Sequence, residues 1–318
     1  MAATPIGVVY NTSMTRPDAA LALAAMYVME SRKESTMGSV CVAGAGFNAA
    51  VFCDIIGKMY TFGPPRNGNQ VLAVGLAAEQ GTPDSPMVKT AVEQNYPRTI
   101  QHAYDTSAPT EVLRNGVIFN AESAVILSGP ATYLAKTLDL LNVKELYKTR
   151  VKRLVIVDSG TTYNDAAALR RVIAEWPSPV FLCPKEVGDA LKFPGAQLDK
   201  DFAWASSHPV VDAYKAYKPM PYDAPLYDLA ATHYAIHPDS GFFELSAPGS
   251  GNMRTIGIVP AKKDELLIAL IDLATAKPVA PAPNRGGARA GSGRGAFGFS
   301  GQGPGVITPA IVPPNVNK

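Results

Sequence analysis

Apolar positions along the chain alternate between short runs and longer stretches. Residues 6–10 form a brief apolar run, which predicts a buried strand, and a polar turn follows at 11–17. Residues 18–29 carry Ala, Leu and Met on most faces, the pattern of a helix buried all round. Residues 39–43 predict a second strand, closed by Gly44-Ala45-Gly46, and 48–56 a second helix. A βαβα opening of this kind predicts a parallel sheet covered by helices. Residues 61–108 are rich in Pro, Gly, Asn and Thr, with one helix predicted at 87–94.

The alternation then resumes. Strands are predicted at 123–127, 153–157, 180–182 and 255–259, and helices at 133–141, 165–174, 199–217, 225–236 and 262–274. Two of these strands run into Ser128-Gly129-Pro130 and Asp158-Ser159-Gly160. Apolar strands that end in Gly or polar turns ahead of helices predict an α/β fold, a doubly wound and mostly parallel sheet flanked by helices. Its ligands are expected beyond the carboxyl ends of the strands. Residues 1–276 are read as this α/β domain. Residues 277–318 are read as a Gly/Pro-rich basic tail with too few large side chains to offset its ordering entropy, apart from a candidate docking strand at 306–312.

Composition narrows the function classes. Of 318 residues 47% are hydrophobic and 18% charged, which suits a large packed core. The net charge of +2 gives no reason to expect nucleic acid or an anionic membrane as partner. Five of the 29 cations and none of the 27 acids lie from Lys277 to Lys318, so the body carries 24 against 27 and is mildly acidic. Cys41, Cys53 and Cys183 sit in apolar stretches and read as core residues, not as a disulfide framework. No apolar run reaches transmembrane length. The first residues lack the basic and apolar regions of a signal peptide, so the chain as written is expected in the cytoplasm, or exported if a leader has been removed.

Candidate chemistry begins at the first turn. Val8-Val9-Tyr10-Asn11-Thr12-Ser13-Met14-Thr15-Arg16-Pro17-Asp18-Ala19 matches, without a gap, a strand followed by Asp-x-Asp-Pro-Gly-x-Asp-Asp-Ala and an apolar helix. That is the entry motif of the nucleoside hydrolases, which this segment resembles. The four aspartate positions fall on Asn11, Ser13, Pro17 and Asp18. Three later segments resemble the same family in order: residues 124–135 its strand and Gly-Pro-Leu-Thr-Asn-Leu-Ala, residues 155–160 its strand ending in Met-Gly-Gly, and Pro225-Leu226-Tyr227-Asp228-Leu229-Ala230 its late His-Asp helix start.

The resemblance implies an N-ribosyl hydrolase with a carboxylate-bound calcium, which positions water against an oxocarbenium-like sugar. The implied ligands here are Asp18, Asp228 and the Thr132 carbonyl, too few for an ion that takes six to eight oxygens. Ser13 stands where the family's catalytic base would be, and a serine hydroxyl has no basicity near neutral pH without an activator. Asn11, Asn164 and Tyr227 are the implied ligand-binding residues, with Tyr227 in place of a histidine. Two functions stay open. One is hydrolysis of the N-glycosidic bond of a nucleoside or related riboside. The other is a non-catalytic relative that binds a sugar-like ligand or serves as an assembly subunit, with a homo-oligomer as a candidate state. Calcium is expected to bind weakly or not at all.

Other motifs carry less. Gly44-Ala45-Gly46 lacks the rest of a dinucleotide fingerprint. His233 and His237 have i, i+4 spacing, but Pro238 follows, so the pair reads as a helix end in preference to a zinc site. Ser13 lies in no nucleophile-elbow sequence. Asp18 and Asp228 each also fit an ordinary helix N-terminus.

Overall fold

A computed structural model describes residues 4–61, 72–77, 83–249 and 253–280. Its frame is an eight-stranded sheet in the order β3-β2-β1-β4-β5-β6-β10-β9. The strands are β1 (Ile6–Thr12), β2 (Ser35–Ala43), β3 (Val74–Ala77), β4 (Ser123–Leu127), β5 (Val151–Val157), β6 (Val180–Cys183), β9 (Phe243–Leu245) and β10 (Arg254–Ile258). All neighbours run parallel except β9, which pairs antiparallel with β10 at the edge. A separate two-stranded pair joins β7 (Lys192–Phe193) to β8 (Ala224–Pro225).

The sheet is buried on both faces, which is why its strands read as continuous apolar runs and not as alternation. Along β1, Val8 and Tyr10 enter one core and Val9 the other. The first core is built around α1 (Pro17–Ser31), whose residues from Pro17 to Met29 are all buried. It packs against β2, α2 (Phe47–Tyr60), α10 (Pro209–Tyr217), α11 (Tyr227–Ile236) and α12 (Lys263–Thr275). The second core lies under α4 (Pro109–Ile118), α5 (Thr132–Thr137), α6 (Val143–Arg150) and α7 (Ala166–Glu175).

The sequence expectations hold for the sheet order of events and fail at some edges. The strand expected at 39–43 begins four residues earlier, because Ser35 to Met37 pair with β1, with Gly38 at a register shift. The helix expected at 199–217 is two pieces, α9 (Leu198–Asp201) and α10, since Pro209 can only start a helix, not continue one. The helix expected from 225 starts at Tyr227, with Pro225 paired in β8. Helices α4 and α6, with α3 (Pro86–Glu93) and α8 (Lys185–Ala190), complete the described set. The tail read from residue 277 falls, from residue 281 on, outside the described residues, as does the candidate strand at 306–312.

One buried group near α10 sets an acid limit on stability. His208 caps α10, its Nδ1 accepting the Val210 amide at 3.2 Å, and its Nε2 lies 3.0 Å from the Tyr60 hydroxyl. Burial among Phe202 and Trp204 pushes its pKa down to about 3. The folded state therefore keeps His208 neutral where the unfolded chain, with a pKa near 6.5, takes a proton. Stability is full above about pH 6.5 and falls as the pH drops toward 3, by about 2 kcal/mol between pH 7 and 5 from this residue alone. His208→Asn retains a capping acceptor. Its urea stability is expected to fall less steeply between pH 7 and 5 than that of the wild type; parallel profiles would contradict the assignment.

Candidate functional site

The order of the sheet reverses direction between β1 and β4, and the carboxyl ends of these two strands are where an open α/β sheet leaves a crevice. The turn after β1 and Ser128-Gly129-Pro130 after β4 meet there. Asn11 carbonyl oxygen accepts the amides of Ser128 at 2.8 Å and Gly129 at 3.1 Å. A Cβ on Gly129 would lie 2.7 Å from Asn11 Oδ1, so glycine permits the close approach of the two turns. The Asn11 amide is fully buried, and neither its nitrogen nor its oxygen has a hydrogen-bond partner among the described residues.

Arg16 precedes Pro17 and is extended (φ −127°, ψ 148°), as the proline ring requires of its neighbour. This conformation accompanies a side chain that lies over the site. One terminal nitrogen donates to Asp228 Oδ1 at 2.8 Å and to Ser128 Oγ at 3.3 Å, and the other to Thr161 Oγ1 at 3.1 Å. The guanidinium lies 5.8 Å from the centre of the Tyr227 ring. Only 12% of the Arg16 side chain is exposed, against none of Asp228. Burial works against its charge, but the Asp228 and Asp18 carboxylates outweigh that and hold Arg16 above its ordinary pKa.

Each carboxylate is occupied from within the chain. Asp18, in the first turn of α1, accepts the amide of Asp228 at 2.5 Å through Oδ2 and that of Leu229 at 3.3 Å through Oδ1. It thereby caps α11, whose own preceding residue Leu226 offers no side-chain acceptor. Asp228 Oδ2 accepts the Tyr10 hydroxyl at 2.5 Å and the Ser128 hydroxyl at 2.6 Å, while Oδ1 takes Arg16. Burial, and then the charge of Asp228, raise the pKa of Asp18 above the usual carboxylate range, against the pull of Arg16 and the two amides. Burial and Asp228 likewise keep Tyr10 protonated as a donor.

Ser13 has hydroxyl partners: Thr15 Oγ1 at 3.0 Å and the Tyr163 hydroxyl at 2.9 Å. Tyr163 also donates to the Ser128 carbonyl at 3.2 Å, so the loop between β5 and α7 covers Ser13. Two further helix starts on this side of the sheet meet a carboxylate of the chain. Asp165 accepts the Ala131 amide at 2.5 Å ahead of α5, and Asp84 accepts the Asn48 amide at 3.3 Å in α2.

The structure thus brings Asn11, Ser13, Asp18 and Asp228 together at the strand ends, buried in place of lining an open cleft. Thr132 opens α5 and makes no hydrogen bond to either aspartate. Asn164 is exposed on the β5–α7 loop. Tyr227 keeps its ring under Arg16 and directs its hydroxyl to Asp189 at 2.6 Å. Sequence reading gave no role to Tyr10, Arg16, Ser128 or Tyr163. An arginine inside an otherwise acidic motif and ahead of proline was the available signal; its partner, 212 positions away, was not.

The residues present do not fit a calcium ion. Every oxygen of Asp18 and Asp228 already accepts a donor within the chain, and a guanidinium stands against Asp228. Among the described residues no group of three or more His, Cys, Asp or Glu is placed to hold a metal. His233 and His237 have ring centres 5.4 Å apart, with His237 paired to Glu34 at 2.8 Å.

The fold is shared with solved nucleoside hydrolases. The chain is similar to the inosine-uridine preferring nucleoside hydrolase of Bacillus anthracis (TM-score 0.57, 12% identity, 84% of this chain and 100% of that one). It is also similar to a plant nucleoside hydrolase (TM-score 0.61, 14% identity, 86% and 100%). The type III effector protein XopQ, solved with adenosine diphosphate ribose, gives a TM-score of 0.58 at 14% identity over 85% and 94%. No sequence-family model and no curated protein sequence matches the chain. At these identities the likeness is one of fold, and the chemistry has to be argued from the site.

Proposed function

We propose that this chain uses the nucleoside hydrolase fold to bind a sugar-like ligand and does not cleave N-glycosidic bonds. The observation that carries this reading is that every oxygen of both buried aspartates is engaged by an internal donor, beside a serine in the base position whose hydroxyl bonds only to other hydroxyls among the described residues. Hydrolysis of a riboside needs a proton acceptor for water and charge opposite the developing oxocarbenium ion. Ser13 supplies neither, and every oxygen of the two carboxylates already holds a donor of the chain. The hydroxyls of the half-buried Thr15 and Tyr163 and the exposed Thr161, above the buried Ser13, suit the hydroxyls of a sugar. A relative of the same fold solved with adenosine diphosphate ribose supports that ligand class.

The test is ribose release from inosine, uridine and adenosine with and without millimolar calcium, alongside calorimetric titration with adenosine diphosphate ribose and with ribose. No release above the buffer rate and saturable binding of one ligand are expected. Calcium-dependent turnover would overturn the reading. Ser13→Asp sharpens it. In a working calcium site a restored base would raise turnover by about 10²–10⁴-fold. Here the new carboxylate would face the hydroxyls of Thr15 and Tyr163, beside aspartates already engaged by the chain, so no turnover is expected to appear.

A further inference from the structure

We propose that Arg16 is the resident cation of this site, standing in the place where the fold's relatives by sequence pattern would hold a metal, so that Asp228 is paired from within the chain, Asp18 is held by backbone amides, and no ion is needed. The inference shares with the functional reading the premise that the carboxylates are occupied internally, but it concerns cations and stability and requires no ligand to exist. Three observations carry it. The guanidinium meets Asp228 at 2.8 Å and bridges to the turns after β4 and β5 through Ser128 and Thr161, as a multivalent centre would. Asp228 is fully buried and Asp18 almost so, and Arg16 is the one cation that pairs with Asp228 among the described residues. Hydroxyls and amides of the chain meet the other carboxylate oxygens, in the manner of a coordination shell turned into a hydrogen-bond shell.

The consequence is physical and separable. A guanidinium is a planar fork with its charge spread over three nitrogens, and it cannot be titrated or chelated away. A divalent ion approaching Asp228 meets that fixed charge first. The wild type should therefore be blind to both calcium and its removal. Shortening Arg16 should leave a buried carboxylate pair with a vacancy beside it, which an added cation can enter.

The experiment uses the full chain and three proteins: wild type, Arg16→Met and Arg16→Lys. Terbium serves as the probe, since nearby tyrosines sensitise its luminescence, with calcium as competitor; melting is followed in chelator and in millimolar calcium. The wild type is expected to give no saturable terbium signal and no shift in melting temperature between the two conditions. Arg16→Met should melt roughly 5–15 °C lower, because a buried charge loses its partner. It should also gain terbium luminescence that calcium displaces, and recover part of the lost melting temperature in calcium. Arg16→Lys, which keeps the charge but not the fork, should lose less and gain no terbium site. Stoichiometric terbium or calcium uptake by the wild type would overturn the proposal, and so would a folded Arg16→Met that melts like the wild type or takes up neither ion. If Arg16→Met does not fold, the wild type and Arg16→Lys decide: uptake of either ion by either protein refutes it, and its absence in both upholds it.

Discussion

Asp228→Ala is expected to remove about 3–5 kcal/mol of stability, the scale on which breaking a buried ion pair acts. The loss comes less from the attraction forfeited than from what is left behind. Arg16, 12% exposed, would keep its charge with no carboxylate in contact. The hydroxyls of Tyr10 and Ser128 would lose the acceptor they share, at about 1–3 kcal/mol for each buried group left unmade, and the three effects are not additive. Asp228→Asn keeps an acceptor for one hydroxyl but not the charge, and should fall between. Urea unfolding at neutral pH reads these differences directly. Asp158→Ala is the control, since that exposed carboxylate accepts, among the described residues, only the Gly160 amide in its own turn and should cost little. A loss below about 1 kcal/mol for Asp228→Ala would mean that water already serves the guanidinium and that the network is not a closed one.

What the sequence showed and hid at this site follows from the range of each interaction. Strands β1, β4, β5 and β6 were legible because a strand buried on both faces writes itself as a contiguous apolar run. The turn after β1 was legible through its ungapped spacing against a known entry motif. The helices α4 and α6 were not singled out: α4 buries only Val112, Leu113, Gly116 and Val117, and α6 only Val143 and Tyr147, each too thin a stripe to stand out. Asp18 and Asp228 were picked as partners, yet as ligands of a metal. In the structure they cap α11 and hold Arg16, through contacts between residues over 200 positions apart, which no local pattern encodes. Tyr163 was missed because the loop that carries it has no periodicity. Its hydroxyl acquires meaning only where β5 brings it over Ser13.

Helix α1 should be intolerant of truncation on every face. Surface helices bury one stripe, so alanine substitutions around a turn alternate between costly and neutral. In α1 the residues from Pro17 to Met29 are all buried, since helices α2, α10, α11 and α12 enclose the sides that β2 and its neighbours do not. At 100° per residue Leu21 and Val28 point one way and Leu23 and Met26 roughly the opposite way, and all four are fully buried. Each of Leu21→Ala, Leu23→Ala and Met26→Ala is expected to cost about 2–5 kcal/mol, and Val28→Ala somewhat less, because each leaves a cavity that close-packed neighbours refill only in part. The same substitution on the outward face of α12, Ile268→Ala at a side chain 61% exposed, should change stability by less than about 1 kcal/mol. The scan therefore decides between two arrangements by its pattern and not by any one value. Four comparable losses in α1 place it at the centre of the first core, where it also fixes Arg16 and Asp18 at its start against α11. One or two neutral positions among the four would show instead that a side of α1 opens to solvent, and that the neighbouring helices do not enclose it.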